Sequence, residues 1–101
     1  MNILEKTFTR KSFVHNQIKR DGKIAIYERW KANPETKHYE VVKIGSHNGY
    51  TIAGQFVAPS EVYPSSTAWG VTGWTYNTIN EAEKKFKQLV AEQSTPKAAK
   101  V

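Results

Sequence analysis

Apolar and polar residues alternate along much of the first 57 residues, and this period of two predicts β-strands. Asp21-Gly22 and Asn48-Gly49 each separate two of the alternating runs. Both dipeptides are typical of tight hairpin turns, because glycine tolerates a positive φ. Gly54 interrupts the last run. We predict four strands from this pattern, over residues 12–19, 23–31, 38–44 and 50–57.

The clearest helix signal lies near the C-terminus. Apolar residues recur with a period near 3.6 from Ile79 to about Gln93, and Thr78 and Glu81 have the spacing of a capping box. We also predict a single helical turn from Ser66 to Trp69 and a short strand over 73–76. The predicted fold class is α+β: an antiparallel β-meander of four to five strands with one C-terminal α-helix packed on one face.

The chain length of 101 residues supports one domain. We predict that this domain covers residues 1–93, that residues 94–101 form a flexible tail, and that residues 1–7 are a loosely held end. No run approaches the ~20 apolar residues of a membrane helix, and residues 1–6 lack the apolar core of a signal peptide. The absence of cysteine excludes disulfides and thiol catalysis, and it fits an intracellular, cytoplasmic protein.

Charge divides the chain into regions. The net charge is +6, and residues 1–45 carry ten Lys or Arg against five acidic residues. Residues 46–79 carry no Lys or Arg and a single acid, Glu61. A basic half points to an anionic partner, most often nucleic acid, while the alternative is that the charge only keeps the protein soluble.

Catalytic motifs are missing from the sequence. His15, His38 and His47 have no metal-ligand spacing, and Asp21 is the single aspartate. There is neither a Gly-x-Ser-x-Gly elbow nor a glycine-rich phosphate loop. We therefore predict a protein that is not an enzyme and that holds no metal or cofactor.

Basic and aromatic residues instead favour a nucleic-acid-binding face on two predicted strands. If the basic and aromatic residues of the two strands point to the same exposed face, the cations there would contact phosphates and the rings would stack on bases. Such stacking contributes about 1–3 kcal/mol per base. Ile24, Ile26, Val42 and Ile44 are assigned to the side under the helix. The alternative is that the tyrosines pack under the helix. The residues predicted to bind are Arg10, Lys11, Lys19, Arg20, Lys23, Arg29, Lys31 and Lys43 for phosphates, with Tyr27 and Tyr39 for stacking.

A second hypothesis is a small protein-interaction module, such as a mobile-element inhibitor or adaptor. Its contact surface would be the neutral, aromatic 46–79 segment, because an exposed apolar patch marks a protein partner. Trp69 and Trp74 lie beside glycines and are interpreted as core rings. The residues predicted for this surface are Tyr50, Phe56, Val62 and Tyr63.

The stretch from about residue 24 to 94 resembles a WGR domain, the small β+α module of poly(ADP-ribose) polymerases and some bacterial proteins. The matching features are the strand 38–42, the run Trp69-Gly70-Val71-Thr72-Gly73, and a helix that starts with Glu81-Ala82 and carries Phe86. Val71 stands where the family has its signature arginine. The resemblance implies contact with nucleic acid or with a neighbouring domain. In size, charge and lack of cysteine, the chain also looks like many small bacteriophage proteins.

Overall fold

The computed structural model describes residues 2–31 and 37–94. Five antiparallel strands form the main sheet in the order β1-β2-β3-β4-β9, and one helix packs against it, which confirms the predicted α+β class. The pairs β5–β8 and β6–β7 lie outside that sheet. Of the predicted tail 94–101, the described residues include only Ser94. In chain order the elements are β1 (Thr7–Arg10), β2 (Phe13–Asp21), β3 (Ile24–Trp30), β4 (His38–Lys43), β5 (Gly45–His47), β6 (Tyr50–Ile52), β7 (Gln55–Val57), β8 (Ser60–Val62), a 3-10 turn (Ser66–Ala68), β9 (Gly73–Tyr76) and α1 (Ile79–Ser94).

Helix α1 begins with Thr78 as its cap, through one of the two bonds of the predicted capping box. The Thr78 hydroxyl accepts the Glu81 backbone N–H at 3.3 Å and lies 3.0 Å from the Glu81 carboxylate. One side of the helix is apolar because residues three and four apart share a face. That side packs on the main sheet and forms the larger of two buried clusters. The buried members of this helix-side cluster are Ile24, Ile26, Val41, Ala82, Phe86 and Leu89.

The register between β3 and β4 decides which residues lie under α1. Ile26 pairs with Val41, and directly paired residues point to the same face of a sheet. Val41 therefore joins Ile26 beneath the helix. The prediction that Val42 and Ile44 lie on the helix side is wrong, because both belong to a second cluster on the opposite face.

This second cluster buries the face of the sheet that α1 leaves uncovered. The N-terminal segment and the segment that follows β8 lie across it. The prediction that residues 1–7 are a loosely held end is wrong for residues 2–7: Asn2 donates to the Pro59 carbonyl at 3.0 Å and accepts from the Glu61 amide at 2.8 Å. The cluster consists of Ala25, Tyr27, Val42 and Ile44, covered by Leu4, Phe8, Tyr63 and Trp69.

Two strand predictions also need correction. The predicted strand 12–19 is the second arm of a hairpin whose first arm, β1, carries too weak a pattern to be recognised. The predicted fourth strand, 50–57, folds back on itself at Ala53-Gly54 and pairs β6 with β7, so Asn48-Gly49 does not join it to β4. The partner of β4 is β9 instead.

We predict that Leu89→Ala lowers the free energy of unfolding by about 2–5 kcal/mol, because it leaves a cavity between α1 and the sheet. Leu89 is 2% exposed. Val71→Ala is the control: Val71 is 69% exposed, so its truncation should change the free energy by less than about 0.5 kcal/mol. Urea unfolding followed by circular dichroism measures both. Equal losses in the two variants would contradict the described packing of α1.

Candidate functional site

A cavity of about 270 Å³ opens on the face of the main sheet opposite α1. The end of the β1–β2 hairpin, β3, and the segment from residue 63 to 69 surround it. Its lining includes three cations and three aromatic rings, with a histidine and a glutamate beside them. We call this the hairpin cavity. The cations are Arg10, Lys11 and Arg29, and the rings are Phe13, Tyr63 and Trp69.

A buried carboxylate, that of Glu40, is the centre of the polar network beside this cavity. Glu40 is 4% exposed. The Tyr63 hydroxyl donates to its Oε1 at 2.6 Å, and Arg29 Nη1 lies 3.2 Å from its Oε2. His15, also 4% exposed, has its Nε2 3.4 Å from Oε1 and its Nδ1 3.2 Å from the Phe13 carbonyl oxygen. Every group that faces the carboxylate is thus a cation or a potential donor.

These contacts keep Glu40 ionised. Burial by itself raises the pKa of Glu40, but hydrogen bonds from His15 and Tyr63 and the charge of Arg29 outweigh it and hold the pKa below its usual value. Burial, followed by the charge of Glu40, raises the pKa of the Tyr63 hydroxyl. The Tyr63 hydroxyl therefore stays a hydrogen-bond donor across the physiological pH range. The Glu40 carboxylate is the fixed negative charge of the network.

The Arg29 side chain makes a cation–π contact but leaves one of its N–H donors without a hydrogen bond to any described residue. Its guanidinium lies 4.5 Å from the centre of the Phe13 ring, a cation–π arrangement. Its Nε is buried and has no hydrogen-bond partner among the described residues. An unpaired buried donor costs about 1–3 kcal/mol. Apart from His15, three cations against Glu40 give the cavity lining a net charge of +2.

The β1–β2 hairpin positions Arg10 and Lys11. Lys11 and Ser12 have φ values of 52° and 69°, so both central residues of the turn are left-handed, as a type I′ turn requires. Asparagine or glycine normally occupies these positions. Arg10 donates to the Pro64 carbonyl at 3.0 Å, and this bond ties the hairpin to the segment that carries Tyr63.

Trp69 is fixed from two sides. Its indole N–H donates to the Thr75 hydroxyl at 2.9 Å, and its ring packs on Gly73, where an added Cβ would overlap it. Gly73 therefore allows β9 to pass beneath the ring. The interpretation of Trp69 as a core ring is confirmed, since it packs against the second cluster, yet it also lines the hairpin cavity.

Half of the cations predicted to bind phosphate lie at this cavity. Arg10, Lys11 and Arg29 line it, and Lys31 Nζ is 5.8 Å from the centre of the Phe13 ring. The other four lie elsewhere.

Two of those four face the helix side. Lys19 lies 5.3 Å from the Phe86 ring centre and Lys43 lies 6.0 Å from that of Trp74. Lys23 is exposed at the β2–β3 turn, where its backbone N–H donates to the Gln93 side chain at 3.1 Å. These lysines are therefore separated from the hairpin cavity by the main sheet or by its edge.

Arg20 forms an ion pair with Glu61. Its Nη1 and Nη2 donate to the two carboxylate oxygens of Glu61 at 2.9 and 2.7 Å, and the Leu4 backbone N–H donates to the same carboxylate at 2.9 Å. These bonds lower the pKa of Glu61 to about 2. The pair joins β2 to β8 and to the N-terminal segment.

The predicted face that combines Tyr27 with Tyr39 is wrong. Tyr27 pairs with Glu40 and Tyr39 pairs with Glu28, so the two rings point to opposite faces of the sheet. Tyr27 is fully buried, and its hydroxyl donates to the Glu5 carbonyl at 2.8 Å. Tyr39 packs against the helix-side cluster. Neither arrangement gives the exposed stacking platform that we expected.

Three of the four residues predicted for the protein-interaction surface are exposed. Tyr50, Phe56 and Val62 are 49%, 70% and 41% exposed, whereas Tyr63 is only partly exposed and bonds to Glu40, so its assignment to this surface is wrong. The β6–β7 hairpin also exposes Ile52, at 61%. Apolar side chains thus project from both faces of this hairpin.

Sequence reasoning missed six residues that line the cavity: Phe13, His15, Glu40, Pro64, Trp69 and Thr75. One signal was available for Glu40, because it shares the strand parity of Val42 and Ile44, and a carboxylate on an apolar face must be paired. No comparable signal identified His15, whose role depends on the register of β2.

A search of family models, of curated proteins and of solved structures finds no match to this chain. The resemblance to WGR domains therefore remains an expectation from the sequence. Across residues 2–31 and 37–94, no helix has the length and apolar character to cross a membrane. Within the same residues, no three His, Asp or Glu side chains converge as metal ligands.

We predict that Glu61→Gln destabilises the protein at neutral pH and that this difference shrinks in acid. The folded-state pKa is about 2 and the ordinary value is 4.5, so the stabilisation is complete above about pH 4.5 and is lost as the pH falls towards 2. Urea unfolding of both proteins at pH 7, 4 and 2.5 measures the difference. Glu92→Gln, on the exposed side of α1, is the matched control; an equal effect in that variant would contradict the assignment to the Arg20 pair.

Proposed function

We propose that this protein is a non-enzymatic nucleic-acid-binding module whose contact surface is the hairpin cavity and the cations around it. The observation that carries the proposal is the convergence of Arg10, Lys11, Arg29 and Lys31 around a cavity lined by aromatic rings. Cations beside open aromatic surface are the combination with which proteins hold a nucleic-acid strand. An intracellular location fits this role and the absence of cysteine.

The proposal replaces the expected sheet face with a different surface. Tyr27 is buried and Tyr39 lies on the helix side, so neither belongs to the proposed interface. Phe13 and Trp69 take the place of the tyrosines. Lys11 and Lys31 are exposed and extend the positive charge from the cavity onto the surface, where they can contact successive phosphates.

The β6–β7 hairpin favours a second candidate function, binding of a protein partner. Residues 45–57 carry no Asp, Glu, Lys or Arg, and Tyr50, Ile52 and Phe56 are exposed there. Exposed apolar side chains on an uncharged projecting element are typical of a protein contact. This candidate retains the adaptor or inhibitor hypothesis with Ile52 in place of Tyr63.

We expect the double variant Lys11→Glu/Lys31→Glu to weaken binding of a fluorescent oligonucleotide by at least about tenfold and to flatten its salt dependence. Each lost phosphate contact removes about 0.7 from the slope of log affinity against log salt for a single strand. Fluorescence anisotropy between 25 and 300 mM NaCl measures both quantities. Both substituted lysines are exposed, so the fold should persist.

The matched control is Lys84→Glu/Lys87→Glu, which makes the same charge change on the exposed side of α1. It should reduce affinity less than the cavity variant, because it alters only the overall charge. Equal weakening by the two variants contradicts the assigned surface. Absence of any binding at 25 mM NaCl contradicts the proposed function.

For the second candidate, Tyr50→Ser/Phe56→Ser should abolish recovery of a partner from nuclease-treated extract while leaving oligonucleotide affinity unchanged. The reason is that both rings are exposed on the β6–β7 hairpin, outside the hairpin cavity. Quantitative pull-down with the two proteins measures this. A partner recovered equally by both would contradict a role for this hairpin.

A further inference from the structure

We propose that the hairpin cavity admits one unpaired nucleobase, so that the ligand is single-stranded nucleic acid and duplex is discriminated against. This inference rests on the proposed function and specifies its ligand. It follows from the size of the cavity, from the fixed positions of its rings, and from the Arg29 guanidinium that lines it.

The size of the cavity suits a single flat ring system. Its volume of about 270 Å³ lies just below the ~300–1,000 Å³ of pockets that enclose drug-sized ligands. A base can enter such a space with its sugar and phosphate remaining at the mouth. Arg10 and Lys11 are among the lining residues, and Lys11 is exposed, so they provide positive charge for the phosphate.

The rings are held in place before any ligand arrives. Trp69 is fixed by its bond to Thr75 and by its contact with Gly73, and Tyr63 is fixed by its bond to Glu40. Arg29 covers Phe13 at 4.5 Å. Because these side chains are already ordered, little conformational freedom remains to be lost when a base packs against them.

The polar groups match the edge of a base. Bases present carbonyl and ring-nitrogen acceptors, and Arg29 has a buried N–H that no described residue accepts. Glu40 does not supply that acceptor, because its contact with Arg29 is made through Nη1. The Arg29 side chain lines the cavity, so its guanidinium can donate to an acceptor atom of a base that enters there.

Duplex nucleic acid cannot fill this cavity without losing a base pair. Its bases are stacked inside the helix, and extruding one costs a few kcal/mol. A single strand offers the same phosphates with bases that are free to enter. The cavity therefore favours single strands over duplex even though both carry the charge that attracts Arg10, Lys11, Arg29 and Lys31.

The test compares three fluorescent probes of equal length with the unaltered protein: a single strand of mixed sequence, the corresponding duplex, and a single strand whose residues are all abasic. We expect the single strand to bind about tenfold or more tightly than either of the others, since one stacked base contributes about five- to hundredfold in affinity. Anisotropy at one fixed salt concentration measures all three.

Variants then assign the effect to the cavity. Phe13→Leu and Trp69→Leu should lower affinity for the single strand about tenfold and leave affinity for the abasic strand unchanged. The control is Trp74→Leu, because Trp74 also has lysines nearby, with Lys85 at 4.3 Å and Lys43 at 6.0 Å, but on the helix side. Urea unfolding verifies that each variant is folded, and the probe comparison needs no variant at all.

The outcomes separate the two proposals. If duplex and abasic strand bind as tightly as the single strand, base insertion is overturned while nucleic-acid binding stands. If Trp74→Leu alone weakens binding, the ring site lies on the helix side and the cavity assignment is overturned. If none of the probes binds at low salt, the proposed function itself fails.

Discussion

The buried carboxylate of Glu40 holds together the parts of the chain that surround the hairpin cavity. It accepts a hydrogen bond from Tyr63, in the segment after β8, and it contacts His15 of β2 and Arg29 of β3. A charge at 4% exposure is tolerated only when such partners surround it, and removing one partner of a buried pair costs about 3–5 kcal/mol. The position of the Tyr63 ring therefore depends on a side chain of a different strand, and the cavity depends on both.

Burial of the main sheet on both faces follows from the same arrangement. Helix α1 covers one face, and the segments that carry Phe8, Tyr63 and Trp69 cover the other. Covering both faces in this way takes Tyr27 and Tyr39 out of any shared exposed surface. On the side opposite α1, the hairpin cavity lies where the covering segments meet the β1–β2 hairpin.

Local signals were sufficient for several elements. The Thr78 cap of α1 and the Asp21-Gly22 turn depend on neighbours in sequence, and the structure contains both. The β1–β2 turn could not be recognised, because Lys11 and Ser12 adopt positive φ without being glycine or asparagine. Their conformation is imposed by the pairing of the strands on either side.

The faces of β3 and β4 could not be predicted for a different reason. Each strand is apolar on both sides, so alternation alone does not fix which set lies under the helix. A shift of one residue between the strands exchanges Val41 for Val42 and turns Tyr39 towards or away from Tyr27. This one ambiguity caused the error in the helix-side residues and the error in the expected stacking face.

The positive charge at the hairpin cavity opposes folding. Arg10, Lys11 and Arg29 line one small cavity, and the single carboxylate of Glu40 compensates for only one of them. The unpaired Arg29 donor adds a further cost. Under the proposed function, a phosphate bound beside these cations would offset their repulsion in the folded state alone, and by linkage it would stabilise the fold.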